Sequence, residues 1–275
     1  MRDQSQKSAA AIRARIGEAP VDVGLVLSAG LAAIGDHLTD PIGFKYDDLP
    51  GFVRPRFGGA AAECVIGTLG RARVAVFKGR THYHEAGDIA GMRVPLETLK
   101  LLGAQAVVLT CAAGSTRREL GPGALVPIRD HINLTGLNPL VGIDDANRSV
   151  DLTAAYDPHL RERFAMAAGE LGRKIQEGTL MWFPGPAFET PAEIHAARTL
   201  GADLVGMSAV PEVLIARQIG LRVLALATVT NYAAGLNPEA LSRDQAMRVS
   251  MASVTSLTRM LMRFFELWLL DARAR

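Results

Sequence analysis

Hydrophobic positions along this chain follow two periods, and each change of period marks a new element. Short apolar runs at Val21–Ser28, Cys64–Leu69, Arg71–Phe77, Ala106–Thr110, Gly121–Ile128, Leu180–Phe183, Asp203–Met207 and Arg222–Val229 read as strands. Helical spacing occupies Ser5–Ile16, Met92–Leu102, Pro158–Glu177, Pro211–Ile219 and Gln245–Leu270. One further helix starts at Thr190, where Pro191 and Glu193 complete a capping box, and stops at Gly201. In the last helix Met247, Met251, Val254, Leu257 and Leu261 form one core stripe. Its final turns (Phe264, Phe265, Trp268) suit either the sheet or a partner subunit. Pro41–Phe57 and Asn138–Asp157 read as connections without regular structure.

Strands alternating with ten-residue helices imply a parallel sheet, and Ala106–Thr110 is apolar enough to be a central strand. Ligands of such sheets gather beyond the carboxyl ends of the strands. Here those ends are the loops carrying Ser28, Arg80, Cys111–Gly114, Phe188–Glu189, Met207–Ser208 and Thr230–Asn231. With 275 residues and 49% hydrophobic composition, the chain can bury one large α/β core. We take 1–275 as one domain with 1–20 as a peripheral N-terminal segment.

Charge and cysteine content narrow the class further. A net charge of +2 is too balanced for a nucleic-acid or anionic-membrane partner. Two cysteines, Cys64 and Cys111, do not make a disulfide scaffold and fit a reducing, cytoplasmic setting. Arg2, Asp3, Lys7, Arg13 and Arg15 enclose no apolar core, which argues against a secretory signal. Met260–Leu270 is too short and too interrupted by Arg263 and Glu266 to span a bilayer.

The loops carry readable chemistry. Arg80 offers a planar fork suited to phosphate, and His82 shares its face if the chain stays extended. His82, His84 and Glu85 could also be read as metal ligands, although the adjacent Arg80 opposes a cation; a solvated loop is the third reading. The turn Ala29-Gly30-Leu31-Ala32 is neither a Walker loop nor G-x-G-x-x-G. Phe188 offers a face to a flat heterocycle, Glu189 accepts from ring N–H groups, and Asn231 can donate and accept. Taken singly, Glu189 is equally a solvated carboxylate and Asn231 a turn residue. Cys111 suits a small core position better than a nucleophile, since no neighbouring base supports it. His131 suits a hydrogen-bonded buried group better than a catalyst.

Long segments, in one order, resemble the trimeric (class II) purine nucleoside phosphorylase family. They are FKGRTHYHEAG (Phe77–Gly87), CAAGS (Cys111–Ser115), RDHINLTGLNPLVG (Arg129–Gly142), GPAFETPAE (Gly185–Glu193), GADLVGMSAVPE (Gly201–Glu212) and TNYAAG (Thr230–Gly235). The resemblance implies a single-domain mixed, largely parallel sheet flanked by helices, a homotrimer, and inorganic phosphate as co-substrate without metal or other cofactor. It implies phosphate contacts from Ser28, Arg80, His82, the Ala112 amide and Ser208. Purine and ribose contacts would come from His84, Ala113, Gly114, Phe188, Glu189, Met207, Thr230, Asn231 and Arg243. His82, Glu189 and Asn231 would carry catalysis, and Asn231 implies 6-oxopurine nucleosides such as inosine and guanosine.

The chain departs from the family pattern at several of these places. Ala29 replaces a phosphate-binding Ser, with Ser28 one place earlier as its substitute. Ala60 and Arg243 replace His, His84 a ribose-contacting Tyr, Cys111 an Asn, and Ser149 a Phe. Two alternatives follow: a phosphorylase for a different 5′-substituted nucleoside, or a non-catalytic purine or nucleoside binder.

Overall fold

The computed structural model describes residues 2–56, 62–144, 148–237 and 240–273. Its helices and strands follow the order α1 (Arg2–Ile16), β1 (Val23–Val26), β2 (Thr39–Lys45), β3 (Glu63–Leu69), β4 (Ala72–Phe77), α2 (Tyr83–Ala86), α3 (Arg93–Leu101), β5 (Ala106–Ser115) and β6 (Leu125–Ile132). They continue as α4 (Pro158–Glu170), β7 (Gly178–Trp182), α5 (Pro191–Thr199), β8 (Leu204–Gly206), α6 (Val210–Gln218), β9 (Arg222–Tyr232) and α7 (Arg243–Arg273). Gly58, Gly59, Ala60 and Ala61 lie outside the described residues, so the expected departure at Ala60 has no structural account.

All the strands form one mixed sheet in the order β2-β3-β4-β1-β5-β8-β7-β6-β9, and β9 also pairs with β5. That extra pairing closes β5, β8, β7, β6 and β9 into a ring. β1–β4, β1–β5, β5–β9, β6–β7 and β7–β8 are parallel; β2–β3, β3–β4, β5–β8 and β6–β9 are antiparallel. The apolar alternation explains how the sheet is covered. On β5, Val107, Leu109 and Cys111 pack into the core shared with α1, α3 and α6, while Ala106 and Val108 face the core shared with α4 and α7. β9 repeats the division, with Val223 and Ala225 on one side and Leu224 and Leu226 on the other.

Several expected boundaries shift, each for a local reason. Thr39–Lys45, overlapping the start of the Pro41–Phe57 connection, is an edge strand whose register slips between Thr39 and Ile42. Pro41 sits in that slip, where no ladder N–H is needed. The strand expected over Gly121–Ile128 begins only at Leu125, because Ala124 closes a turn on Gly121 across Gly123 at φ 88°. The helix expected to reach Glu177 ends at Glu170. Gly172, at φ 69°, donates to Gly169 and Arg173 to Ala168, which is a Schellman stop. On α7 the expected stripe holds at Val254, Leu257 and Leu261 and continues through Phe264, Phe265 and Trp268, but at its start Ser250 is buried and Met251 is 59% exposed. The last turns pack on α4 and the sheet, with Phe264 edge-on to Phe164 at 5.9 Å. None of the described helices is long and apolar enough to cross a membrane.

Phe264 is fully buried at the α4–α7 seam. Phe264→Ala should therefore lower stability by about 3–5 kcal/mol. Urea unfolding measures it, and a loss under about 1 kcal/mol would contradict this packing account.

Candidate functional site

The site is organised by a change of neighbours along β5. Its first half lies between β1 and β9, with Val26 opposite Leu109. Its last residues lie between β8 and β9, with Gly114 opposite Val205 on one side and Asn231 on the other. Because β8 runs against β5, its carboxyl end at Gly206 returns to Ala112, whose carbonyl lies 3.2 Å from where a Gly206 Cβ would sit. Residues from the ends of β1, β4, β8 and β9 are thereby gathered along Thr110–Gly114.

Thr110 frames one corner. Its Oγ1 donates to the Val26 carbonyl at 3.0 Å and accepts from the Ser28 amide at 2.7 Å. Arg80, 3% exposed, reaches the same frame from the loop after β4. Its Nη2 donates to the carbonyls of Val26 and Thr110, and its Nη1 to Glu212 Oε1 at 2.9 Å. The fork expected to face a ligand is thus committed within the protein, and Nε remains without an acceptor. Ser28 Oγ and Thr81 Oγ1 are also buried without partners. Ser28, one residue before Ala29, is the position that carries a hydroxyl into this buried corner, whereas Ala29 is exposed.

His82 keeps an extended backbone (φ −112°, ψ 152°) and caps α2, and its ring Nδ1 meets Glu85 Oε1 at 2.9 Å. Burial works against ionisation of Glu85, yet hydrogen bonds from His82 and the Arg56 amide hold its pKa below the usual value. Ser208 lies buried between β8 and α6. The next residue, Ala209, turns the chain at φ 74°, ψ −45°. Such a backbone costs a non-glycine residue about 1–3 kcal/mol and is a recurrent mark of functional turns. Ser208, Thr81, His82 and Glu212 border a void of about 10 Å³, close to the least that holds one water.

Thr230 and Asn231 end β9, and Phe188 and Glu189 lie in the loop between β7 and α5. Phe188 is 41% exposed, whereas Glu189 is buried, and that burial raises its carboxyl pKa. Asn231 Oδ1 accepts from Thr230 Oγ1 at 2.7 Å, and its Nδ2 donates to the Tyr232 carbonyl at 2.9 Å. An amide retains a second N–H and a second lone pair after those bonds. A side chain at Gly114 would press within 3.2 Å of Nδ2. A Cβ on Gly185 would lie 2.6 Å from Met207 Sδ and 3.1 Å from His84 Nδ1. His84 stacks on His82 with ring centroids 5.1 Å apart. Burial lowers its pKa, with the charges of His82 and Arg243 adding to the effect.

Other expectations resolve outside this cluster. Cys111 points into the core, and burial pushes its thiol up to about 12, so it is no thiolate at neutral pH. His131 Nδ1 meets the buried Tyr156 hydroxyl at 3.0 Å. Ser149 is exposed, and Arg243 opens α7. Among the described residues, no three His, Cys, Asp or Glu side chains gather as a metal-binding group. A far larger cavity of about 820 Å³ lies under the 138–144 loop, against α1, α3 and α6; of the residues around the small void, only Ile89 also lines it. Thr110 and Glu212 escaped sequence reasoning. The available signal was a lone acid within the apolar run VPEVLIA.

Sequence and fold both match known proteins. The family model described as Phosphorylase superfamily matches residues 24–266. The chain is 41% identical over 257 residues to a purine nucleoside phosphorylase of Mycobacterium tuberculosis, covering 92% of each. It is 38% identical over 253 residues to purine nucleoside phosphorylase 1 of Bacillus subtilis, covering 91% of this chain and 93% of the relative. Among solved structures, Schistosoma mansoni purine nucleoside phosphorylase in complex with inosine superposes with a TM-score of 0.89 at 30% identity, covering 96% of each chain. This chain belongs to the phosphorylase superfamily. Within it, the relatives it matches over nearly their whole length are purine nucleoside phosphorylases.

The buried Glu189 sets a pH dependence. Its raised pKa means the folded protein holds the proton more tightly than the unfolded chain does. The associated stability is complete below the unfolded value and is lost as pH climbs through the folded one. Glu189→Gln should accordingly raise Tm at about pH 8, with the gain shrinking below the ordinary carboxyl value of 4.5. Thermal melts across pH measure this; a gap that is constant or reversed would contradict it.

Proposed function

We propose that this chain is a purine nucleoside phosphorylase, cleaving inosine, guanosine and their deoxy forms with inorganic phosphate to free base and (deoxy)ribose 1-phosphate. The observation that carries the reading is the convergence along β5: a buried corner of unpartnered donors at Thr110, and the Asn231 amide beside Gly114. A donor corner next to an amide suits an oxyanion beside a flat heterocycle.

In this mechanism a phosphate oxygen attacks the anomeric carbon as the bond to the purine nitrogen breaks. The sugar passes through an oxocarbenium-like state, and the departing purine takes the bonding electrons. Ser28, Arg80, His82, the Ala112 amide and Ser208 hold phosphate. Phe188 covers the purine face, Glu189 accepts from its ring N–H groups, and the free donor of Asn231 stabilises the growing negative charge. Ala113, Gly114, Met207, Thr230, His84 and Arg243 line the base and sugar. Rate enhancement comes from positioning and charge stabilisation, with phosphate as co-substrate and no further cofactor. The resemblance to class II enzymes supports a homotrimer, and the cysteine usage a cytoplasmic setting.

One observation favours a second reading. Arg243 lies near enough to His84 to depress its pKa, which places two departures from the family pattern together. A phosphorylase acting on a different 5′-substituted nucleoside would exploit such a change.

Purified protein given inosine or guanosine should release base and ribose 1-phosphate only when phosphate is present. Asn231→Ala should cut that rate by about 10²–10³, by analogy with removal of an oxyanion donor. Parallel assays with 5′-methylthio and 5′-phospho nucleosides separate the two readings. Nucleoside binding without phosphate-dependent cleavage would overturn both.

A further inference from the structure

Glu212 is 3% exposed, in the first turn of a helix whose neighbouring residues Val210, Val213, Leu214 and Ile215 are all buried. A carboxylate in such a place needs a partner, and its partner is Arg80, 132 residues away in sequence. Both side chains are almost wholly withdrawn from solvent, at 1% and 4% exposure.

The pair does more than neutralise two charges. A guanidinium offers five N–H donors in a rigid plane, so fixing two of its nitrogens fixes the third. Glu212 takes Nη1, and the carbonyls of Val26 and Thr110 take Nη2. What remains is the second N–H of Nη1 and Nε–H, and of the three nitrogens only Nε is buried without any acceptor. Ser28 Oγ and Thr81 Oγ1 are in the same condition. Two of them belong to one frame: Ser28 hangs from Thr110 Oγ1 by its amide, and Arg80 from the Thr110 and Val26 carbonyls, whereas Thr81 Oγ1 lies against Gly91. Buried donors rarely stay unpaired, and a tetrahedral oxyanion with its many lone pairs can accept from several at once.

We infer that Glu212 is a positioning residue for the anion: by holding Nη1 it turns the Arg80 guanidinium so that Nε–H is left to face phosphate. This rests on the phosphorylase reading of that corner. It differs from a purely structural ion pair in one consequence: disturbing Glu212 weakens phosphate selectively, leaving the nucleoside contacts of Asn231 and Glu189 intact.

Glu212→Leu removes the acceptor at similar volume, and Glu212→Gln keeps an oxygen for Nη1 while removing the charge. Phosphate binding is measured by calorimetry in a phosphate-free buffer, alongside the KM for phosphate and for inosine. Glu212→Leu should weaken phosphate by about tenfold or more, as expected for a lost charge-assisted hydrogen bond, with the inosine KM unchanged within about threefold. Glu212→Gln should stay within about threefold of the parent for both ligands. Should Glu212→Leu fail to fold, Glu212→Asp serves, because it keeps the charge but draws the carboxylate back by one methylene; it too should weaken phosphate alone. Unchanged phosphate affinity in a folded Glu212→Leu or Glu212→Asp variant overturns the inference. So does equal weakening of both ligands, or a Glu212→Gln variant as weak as Glu212→Leu. Calorimetry keeps the two readings apart: a parent protein that binds phosphate but never cleaves inosine sinks the proposed function alone. A parent that cleaves inosine while Glu212→Leu binds phosphate normally sinks the positioning role alone.

Discussion

A guanidinium buried beside a parallel sheet is the constraint around which the site is built. Removing such an ion from water costs on the order of several kcal/mol, recovered only when its donors find good acceptors. Arg80 finds them in three elements: the Glu212 carboxylate at the start of α6, and the carbonyls of Val26 on β1 and Thr110 on β5. The strand register makes this possible. Val26 and Leu109 lie side by side in parallel pairing, so two neighbouring strands present carbonyls to one side chain. Thr110 locks the geometry by bonding across to both Val26 and Ser28.

The second consequence is one of placement. β5 hands over from β1 to β8 just past this pairing, and β8 approaches from the opposite direction. Its end delivers Met207 and Ser208 to the level of Ala112–Gly114, where β9 delivers Asn231. The Thr110 frame and the Asn231 amide therefore share one wall. Small residues along that wall are required by packing. Gly114 leaves room for the Asn231 amide, and Gly206 for the Ala112 carbonyl. The left-handed turn at Ala209 then carries the chain directly from Ser208 into the helix that bears Glu212.

Much of this was readable from residues alone, and the remainder failed for identifiable physical reasons. Short, near-continuous apolar runs located β1, β3, β4, β5, β7, β8 and β9, because those strands are buried on both faces. The edge strand β2 was missed, because Pro41 in a bulge mimics a loop signal. The end of α4 was set by two backbone hydrogen bonds around Gly172, which helical periodicity does not register. Arg80 was legible as an anion-binding residue type. That Glu212 and two carbonyls would hold its fork was not, since nothing local in sequence couples residues 132 positions apart. Ser28 was legible as the substitute for the Ser absent at Ala29, and its hydroxyl is buried without a partner.

A crystal structure of the protein with phosphate and hypoxanthine tests the central claim most directly. The account predicts phosphate oxygens within hydrogen-bond distance of Arg80 Nε and Ser28 Oγ, with Nη1 still on Glu212 and the purine between Glu189 and Asn231. Phosphate bound away from the Thr110 frame, or the purine seated in the cavity under the 138–144 loop, would contradict it.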